Sequence, residues 1–368
     1  MKPKVSVFIP VYKESEHLPI LLKELISQKT SKEIFVVIDE PTKESLRVSK
    51  NFKNKVEFII NKKRIGKSNA LNKTVEMSSG NILLFLDDDV ELSDNTNFLK
   101  KIIDEMKDAD ILDIKKRVVK DSFLSKMTYY EYVGFNAGSW MISKYLKKCP
   151  GVNGSAFAIR RKAFESLGGF RRVVAEDLDI ATRAFLNDFR FKYTKEIEVY
   201  NHVHSNWKKW IGQRKRWSFG AALWVKEWYK DLLKTSIKRP QIFIPAIFSL
   251  FPSLLLLILS FLSPDMLIYK TISIFSLFLA LKFGFVLPIL MLTTFSVNII
   301  RSLFVTVLSF SIFSIIFFGL SKKLGFNFKI HEFFFYYFFY SLLCLFFLIV
   351  ELVQVFIFNK KLSIDWKT

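Results

Sequence analysis

The sequence predicts an α/β domain on a largely parallel, Rossmann-like sheet, followed by a helical transmembrane bundle. Two observations carry this expectation. Over the first 120 residues, short apolar runs alternate with helical patterns, as in strands joined by helices that cover both faces of a sheet. Near the end, uncharged runs occupy 241–263, 283–300, 302–321 and 333–350. Each is long enough to cross a bilayer as a helix, and a soluble core rarely needs several in succession.

The elements follow in order. Residues 5–11 read as the first strand, and Leu18, Leu21, Leu22 and Leu25 then fall at helical spacing. Strands are expected at 34–38, 56–61 and 81–86, with a helix opening after Gly66 and running near 67–77. The stretch 122–200 is less regular; it holds the small-residue loop Gly151-Val-Asn-Gly-Ser-Ala-Phe157, and then Glu176-Asp-Leu-Asp-Ile180 opens a helical pattern. Between 206 and 230, tryptophans at 207, 210, 217, 224 and 228 share one helical face, interleaved with Lys208, Lys209, Arg214, Lys215, Arg216 and Lys226. Aromatic and basic groups so arranged suit a helix lying in the headgroup layer, although a soluble core helix is the alternative. The expected organisation is therefore a cytoplasmic domain over 1–204, an amphipathic interfacial helix over 205–238, membrane spans over 239–359 and a short polar tail over 360–368. Four spans are expected, or five if Lys270, Lys282 and Arg301 separate further helices.

Charge supports the same layout. The net charge is +21, and residues 241–368 carry only 9 Lys/Arg and 4 Asp/Glu, which leaves +16 in 1–240. A basic soluble part beside membrane helices fits a cytoplasmic position and attraction to anionic membrane lipids. No zinc finger or RNP motif is present, so nucleic acid is not an expected partner. Two cysteines, one of them within an apolar run, make a disulfide framework unexpected and fit a reducing compartment. The chain opens Met-Lys-Pro-Lys and enters a strand without an apolar leader, so the domain is expected to start in the cytoplasm.

The most informative chemistry is Asp87-Asp88-Asp89 at the end of the strand 81–86. Three adjacent carboxylates repel one another, and a cation would relieve them. Alternate side chains of an extended segment share a side, so Asp87 and Asp89 can converge on one ion while Asp88 points away. Oxygen ligands suit Mg²⁺ or Mn²⁺, which keep positions open for substrate phosphates. An acidic turn after a buried strand is the alternative. Asp39 falls at another strand end, and ligands of such sheets bind beyond those ends.

Read in order, the chain presents Phe8-Ile-Pro-Val-Tyr-Lys-Glu14, Asp39, Gly66-Lys67 with Ala70-Leu-Asn72, Asp87-Asp-Asp89, the 151–157 loop, Glu176-Asp177 and Gln213-Arg-Lys-Arg-Trp217. This series resembles the family 2 glycosyltransferases, inverting enzymes with the nucleotide-sugar-binding GT-A fold, over roughly residues 3–230. The last motif, 36 residues after Asp177, resembles that of membrane-bound members, among them cellulose, chitin and hyaluronan synthases and some lipid glycosyltransferases.

The resemblance implies a set of roles. Asp87 and Asp89 hold the metal. Pro10, Tyr12, Glu14, Asp39, Lys67, Asp87, Asp88 and Arg216 surround the donor, with Arg216 suited to a bidentate phosphate contact. Asp177 is the base, with Glu176 beside it and Asp179 as a further competitor; helix capping is the bland role open to all three acids. Gly154, Ser155, Gln213 and Trp217 meet the acceptor, Trp217 offering a flat apolar ring to a sugar face. One departure stands out: Asp39 is followed by Glu40-Pro41-Thr42, whereas family members commonly carry a second aspartate and Gly-Ser or Asn-Ser there. A UDP-sugar is the expected donor ahead of a GDP-sugar, and a membrane lipid or a growing glycan the acceptor. A processive polysaccharide synthase that exports its polymer, singly or as a homo-oligomer, is the alternative, and an inactive membrane scaffold is the rival of a different class.

Overall fold

The computed structural model describes residues 4–94, 96–262, 265–284 and 294–360, without the side chains of 242, 261, 265–268 and 294–297. The chain divides into two compact units, one holding everything up to Ile247 together with the segment from Cys344 onward, the other Phe248–Leu343.

In the first unit the elements run β1 (Val5–Tyr12), α1 (Leu18–Ser27), β2 (Lys32–Asp39), α2 (Lys43–Phe52), β3 (Glu57–Asn61), α3 (Lys67–Met77) and β4 (Ile82–Leu86). They continue with β5 (Val90–Leu92), α4 (Phe98–Glu105), β6 (Ile111–Val118), α5 (Phe123–Leu146), β7 (Ala156–Arg160), α6 (Arg161–Ser166), α7 (Glu176–Leu186), β8 (Phe191–Asn201) and α8 (Trp207–Lys238). Eight strands form one sheet in the order β3-β2-β1-β4-β7-β6-β8-β5. The four expected strands pair in parallel, β1 lying between β2 and β4. From β1 the chain builds outward through β2 and β3, then returns to β4 on β1's other side. That reversal opens a crevice at the carboxyl ends of β1 and β4, where ligands of open α/β sheets sit.

Beyond β4 the sheet turns mixed. β7 runs antiparallel to β4, with Leu86 opposite Ala156. An antiparallel neighbour brings its amino end to the carboxyl end of β4, which is why the 151–155 loop arrives beside Asp87.

Period-2 burial separates two cores. Val5, Val7, Ile9 and Val11 of β1, Ile34, Val36 and Ile38 of β2, and Ile82, Leu84 and Leu86 of β4 pack on one face with α1 and α4. On the other face Phe8 stacks on Phe35 and Phe85 at 5.6 and 5.2 Å, and Phe85 reaches Phe157 at 5.1 Å and Phe170 edge-on at 4.9 Å. Such pairs add to the area that aromatic rings bury.

Helix α8 forms as expected, but part of its tryptophan face is turned to protein. Trp210 is fully buried, and the Trp224 indole donates to Thr182 Oγ1 of α7 at 2.7 Å. Trp207, Lys208, Lys209 and Lys215 remain exposed. A stripe buried at Trp210, beside Phe347, and bonded to α7 at Trp224 keeps only its remaining residues for a headgroup layer.

The run 241–263 is not one straight span: Phe243–Leu250 and Ser253–Ser260 meet at 105°. Pro252 stands at the break, where it removes a backbone donor and clashes with the preceding turn. Among the described residues two helices are long and apolar enough to cross a membrane, Asn298–Leu324 and Ile330–Phe356, or three if the bent pair is one span. Of the expected run 283–300, residues 285–293 lie outside the described residues.

The Phe85 stack generates the first prediction. Phe85→Ala should cost about 3–5 kcal/mol through lost contacts and the cavity left behind, whereas Ile20→Ala, at 44% exposure, should stay within about 0.5 kcal/mol. Urea unfolding of the detergent-solubilised protein checks this; equal midpoints would contradict the packing described.

Candidate functional site

The site forms where three element ends meet. β4 ends at Leu86, and the Asp87 amide donates to the Ser155 carbonyl at 2.9 Å, fixing the aspartate turn to the loop before β7. α3 begins at Lys67, behind Gly66 at φ +87°, a left-handed conformation that favours glycine. α7 begins at Glu176, with Glu176, Asp177 and Asp179 in its first turn. Pro10, Lys67, Asp87, Gly154, Glu176 and Asp177 line one hollow, floored by Phe85, Phe157 and Phe170.

Lys67 ties these ends together. Its Nζ lies 2.9 Å from Asp87 Oδ1 and 3.1 Å from Glu176 Oε1. Burial pulls its ammonium down, but the charges of Asp87, Glu176 and Asp177 outweigh this and hold it above the ordinary lysine value.

Among the acids of α7 the structure separates three fates. Asp179 is 2% exposed and bonded to Arg183 at 2.9 Å, with Arg171 at 3.5 Å, so it braces the helix. Glu176 is committed to Lys67. Asp177 faces the hollow and accepts the Gly154 amide at 2.7 Å and the Leu178 amide at 2.8 Å. A side chain at Gly154 would put its Cβ 2.7 Å from Asp177 Oδ2, so the contact needs glycine. Burial, then the neighbouring Glu176 charge, pushes Asp177 up to about 6.

The aspartate turn is electrostatically strained. Burial, then Asp87, raises Asp88 to about 7, and burial with Asp87 and Asp88 raises Asp89 well above its usual range. Asp89 Oδ1 is buried with no hydrogen-bond partner. A buried carboxylate oxygen without a donor, beside two further carboxylates, fits a divalent cation; oxygen donors are those that Mg²⁺ and Mn²⁺ prefer.

Other expected residues take these positions. Asp39, 6% exposed, accepts Asn61 Nδ2 at 2.9 Å and the Ile65 and Gly66 amides at 3.1 Å, pinning the loop that feeds Lys67 into α3. Tyr12 donates to Glu40 Oε2 at 3.1 Å under the Arg64 guanidinium, 4.4 Å from its ring. Glu14 accepts from Thr42 Oγ1 at 2.6 Å. Ser155 is buried. Arg216 on α8 is pulled below its ordinary value by burial, while the charges of Asp87 and Glu176, the acids that hold Lys67, act to raise it. Gln213 and Trp217 contact Arg214 instead, at 3.5 Å and 4.3 Å. Arg214 pairs with Glu131 of α5.

Sequence reasoning missed two contributors, Arg64 and Tyr132, and gave no role to a third, Asn72. Arg64 lies close enough to Arg216 to lower it. Tyr132 of α5 is buried near Asp89, whose charge adds to burial in raising its phenol. Asn72 holds the Phe170 backbone by a paired amide contact at 2.8 and 2.9 Å, setting the ring that floors the hollow. Only Asn72, within the Ala70-Leu-Asn72 motif, carried a sequence signal.

Known proteins similar to this chain share its fold. Residues 6–168 match the family described as Glycosyl transferase family 2. A "Probable glycosyltransferase YdaM" of Bacillus subtilis is 29% identical over 259 residues, 64% of this chain and 60% of that protein. A "Probable glucomannan 4-beta-mannosyltransferase 3" of Arabidopsis thaliana is 41% identical over 78 residues, 21% of this chain and 14% of that protein. The matches thus span less than two thirds of these relatives. Among solved structures, the mannosyltransferase PcManGT of Pyrobaculum calidifontis, in complex with GDP-Man and Mn²⁺, superposes with a TM-score of 0.52 over 83% of this chain and 87% of its own, at 16% identity. The domain has the GT-A fold, followed by C-terminal helices.

The unpartnered Asp89 oxygen generates the second prediction. Mn²⁺ added to chelator-treated protein should raise its melting temperature, by the linkage of binding to folding, with the shift reduced by at least half in Asp89→Asn. An equal shift in the variant, read by differential scanning fluorimetry, would remove Asp89 from the ligand set.

Proposed function

We propose that this protein is a membrane-bound inverting glycosyltransferase that moves a sugar from a nucleoside-diphosphate sugar to a membrane-associated lipid or glycan acceptor, with its catalytic domain on the cytoplasmic side. The observation that carries the reading is the convergence of Asp87, Lys67, Glu176 and Asp177 on one hollow within a family 2 domain.

In this reading Asp177 accepts the proton of the acceptor hydroxyl, whose oxygen attacks the anomeric carbon. The bond from that carbon to the diphosphate oxygen breaks, and the nucleoside diphosphate departs. A carboxylate raised to about 6 is ionised near neutral pH yet basic enough to take a proton in the transition state. Lys67 and Arg216 offset charge on the departing diphosphate; Lys67 gives up part of its hold on Glu176 to do so. Asp87 and Asp89 would hold the divalent ion, which when bound supplies Lewis-acid stabilisation of the leaving group. Tyr12 and Asp39 flank the base end of the donor, where Asp39 Oδ2 already accepts the 65–66 amides and Oδ1 accepts from Asn61. A GDP-linked mannose becomes the first donor to test, ahead of the UDP-sugar expected from sequence, because the mannosyltransferase names among the relatives favour it. The membrane location is supported by the two long apolar helices and the basic charge of the first 240 residues.

Donor and acceptor are tested by supplying GDP- and UDP-sugars with Mn²⁺ to protein in native-like membranes, with released nucleoside diphosphate and product size as readouts. A single-sugar lipid fits the reading, a long polymer converts it to the processive alternative, and no release with any donor would leave the scaffold rival standing. Asp177→Asn should lower turnover by at least ~100-fold, the usual worth of a general base. The pH dependence follows from the raised value: the carboxylate is protonated below about 6, so kcat/KM should fall as pH drops through that point. A profile flat from pH 5 to 8 would exclude Asp177 as the titrating base.

A further inference from the structure

Outside the donor site, two of the chain's four histidines meet one carboxylate. His17 precedes α1, Glu91 is the middle residue of β5, and His202 follows β8, next to Asn201, which pairs with Val90. Rings of His17 and His202 stack at 3.9 Å with an interplanar angle of 14°. His202 Nε2 lies 2.7 Å from Glu91 Oε1. One ligand atom from each of the three residues lies within 4.8 Å of the others.

We propose that His17, Glu91 and His202 bind a divalent transition ion of the Zn²⁺ class, at a site separate from the Asp87 and Asp89 oxygens and independent of the glycosyltransfer reading. The donor set decides the chemistry. Two imidazoles and one carboxylate select a borderline ion such as Zn²⁺ over Mg²⁺ or Ca²⁺, and three protein ligands leave a fourth position for water. Ligands each ~2.1 Å from one ion stand at most ~4.2 Å apart. Closing from 4.8 Å requires the imidazoles to turn out of their parallel stack so that an in-plane nitrogen lone pair of each aims at the ion. His202 and Glu91 keep 22% and 30% side-chain exposure, which gives the ion an entry path.

Its place in the fold gives the ion a structural task. The His202 amide donates to the Asp89 carbonyl at 3.0 Å, and Ser15, two residues before His17, donates through Oγ to the Asp88 carbonyl at 2.9 Å. An ion joining His17, Glu91 and His202 cross-links three segments, from α1, β5 and β8, around the back of the aspartate turn. In the absence of such an ion, His202 and Glu91 would form an ordinary hydrogen-bonded pair at the sheet edge.

The test uses the full chain in detergent, stripped with chelator and titrated with Co²⁺ as an optical probe, then with Zn²⁺. Asp89→Asn protein should still take one equivalent of Co²⁺, show visible ligand-field bands, and lose them on adding Zn²⁺ but not millimolar Mg²⁺. In His17→Asn/His202→Gln protein that equivalent should disappear. Bands that persist unchanged in the double variant, or their absence from Asp89→Asn, would overturn the site. X-ray absorption of Zn²⁺-loaded wild-type protein keeps the question decidable if the double variant does not fold: a first shell containing two imidazole nitrogens supports the site, and an all-oxygen shell refutes it.

Discussion

The ammonium of Lys67, shared between Asp87 and Glu176, is the contact on which the rest of the candidate site depends. Asp87, Glu176 and Asp177 are carboxylates on two separate elements that share one hollow. Without a cation, burial and mutual repulsion would force protonation or drive the end of β4 and the start of α7 apart. Lys67 supplies that cation from a third element. Gly66 sets the conformation that starts α3, and Asp39 pins the preceding loop through two backbone amides. A chain of local choices at 39, 66 and 67 thereby fixes acids 89 residues apart in sequence.

The same electrostatics are what the proposed anionic, metal-assisted donor would meet. The charges of Asp87 and Glu176 act on both Lys67 and Arg216, while burial and then Asp87 raise Asp88, and burial with Asp87 and Asp88 raises Asp89. Positive groups on one side and strained carboxylates on the other suit a diphosphate bridged to a cation, with each charge offsetting its neighbour. Asp177 is held by two amides and by the Lys67 charge, and burial with Glu176 still keeps its carboxyl above the ordinary aspartate range.

Much of this was legible in the sequence. The four parallel strands were visible because their apolar runs are short and bounded by polar residues, those of β1, β2 and β4 being buried on both faces while β3 is a half-exposed edge; the acids at their ends were visible because Asp87–Asp89 and Asp39 follow those runs directly. What could not be read was pairing at a distance. Nothing in the first-turn sequence Glu176-Asp-Leu-Asp tells that Asp179 closes on Arg183 and Arg171 while Asp177 opens to the hollow. Helix α5 escaped notice for another reason: it buries residues around most of its circumference, among them Tyr129, Tyr130, Tyr132, Val133 and Ala137, so no polar face marks its period. The tryptophans of α8 do share one face by spacing, but spacing does not say what that face meets, and at Trp210 and Trp224 it meets protein. The bend at Pro252 carried a plain signal in the proline itself.

The central claim is that the Lys67 cluster is built to hold a diphosphate, and direct binding tests it most simply. Calorimetric titration of GDP and UDP with Mn²⁺ into wild-type, Lys67→Met and Asp177→Asn protein separates the roles. Loss of a charged hydrogen bond is worth roughly 1.5–3 kcal/mol, so Lys67→Met should weaken binding at least about 10-fold while Asp177→Asn binds as the wild type does. Equal affinity in all three proteins would contradict the account at its root.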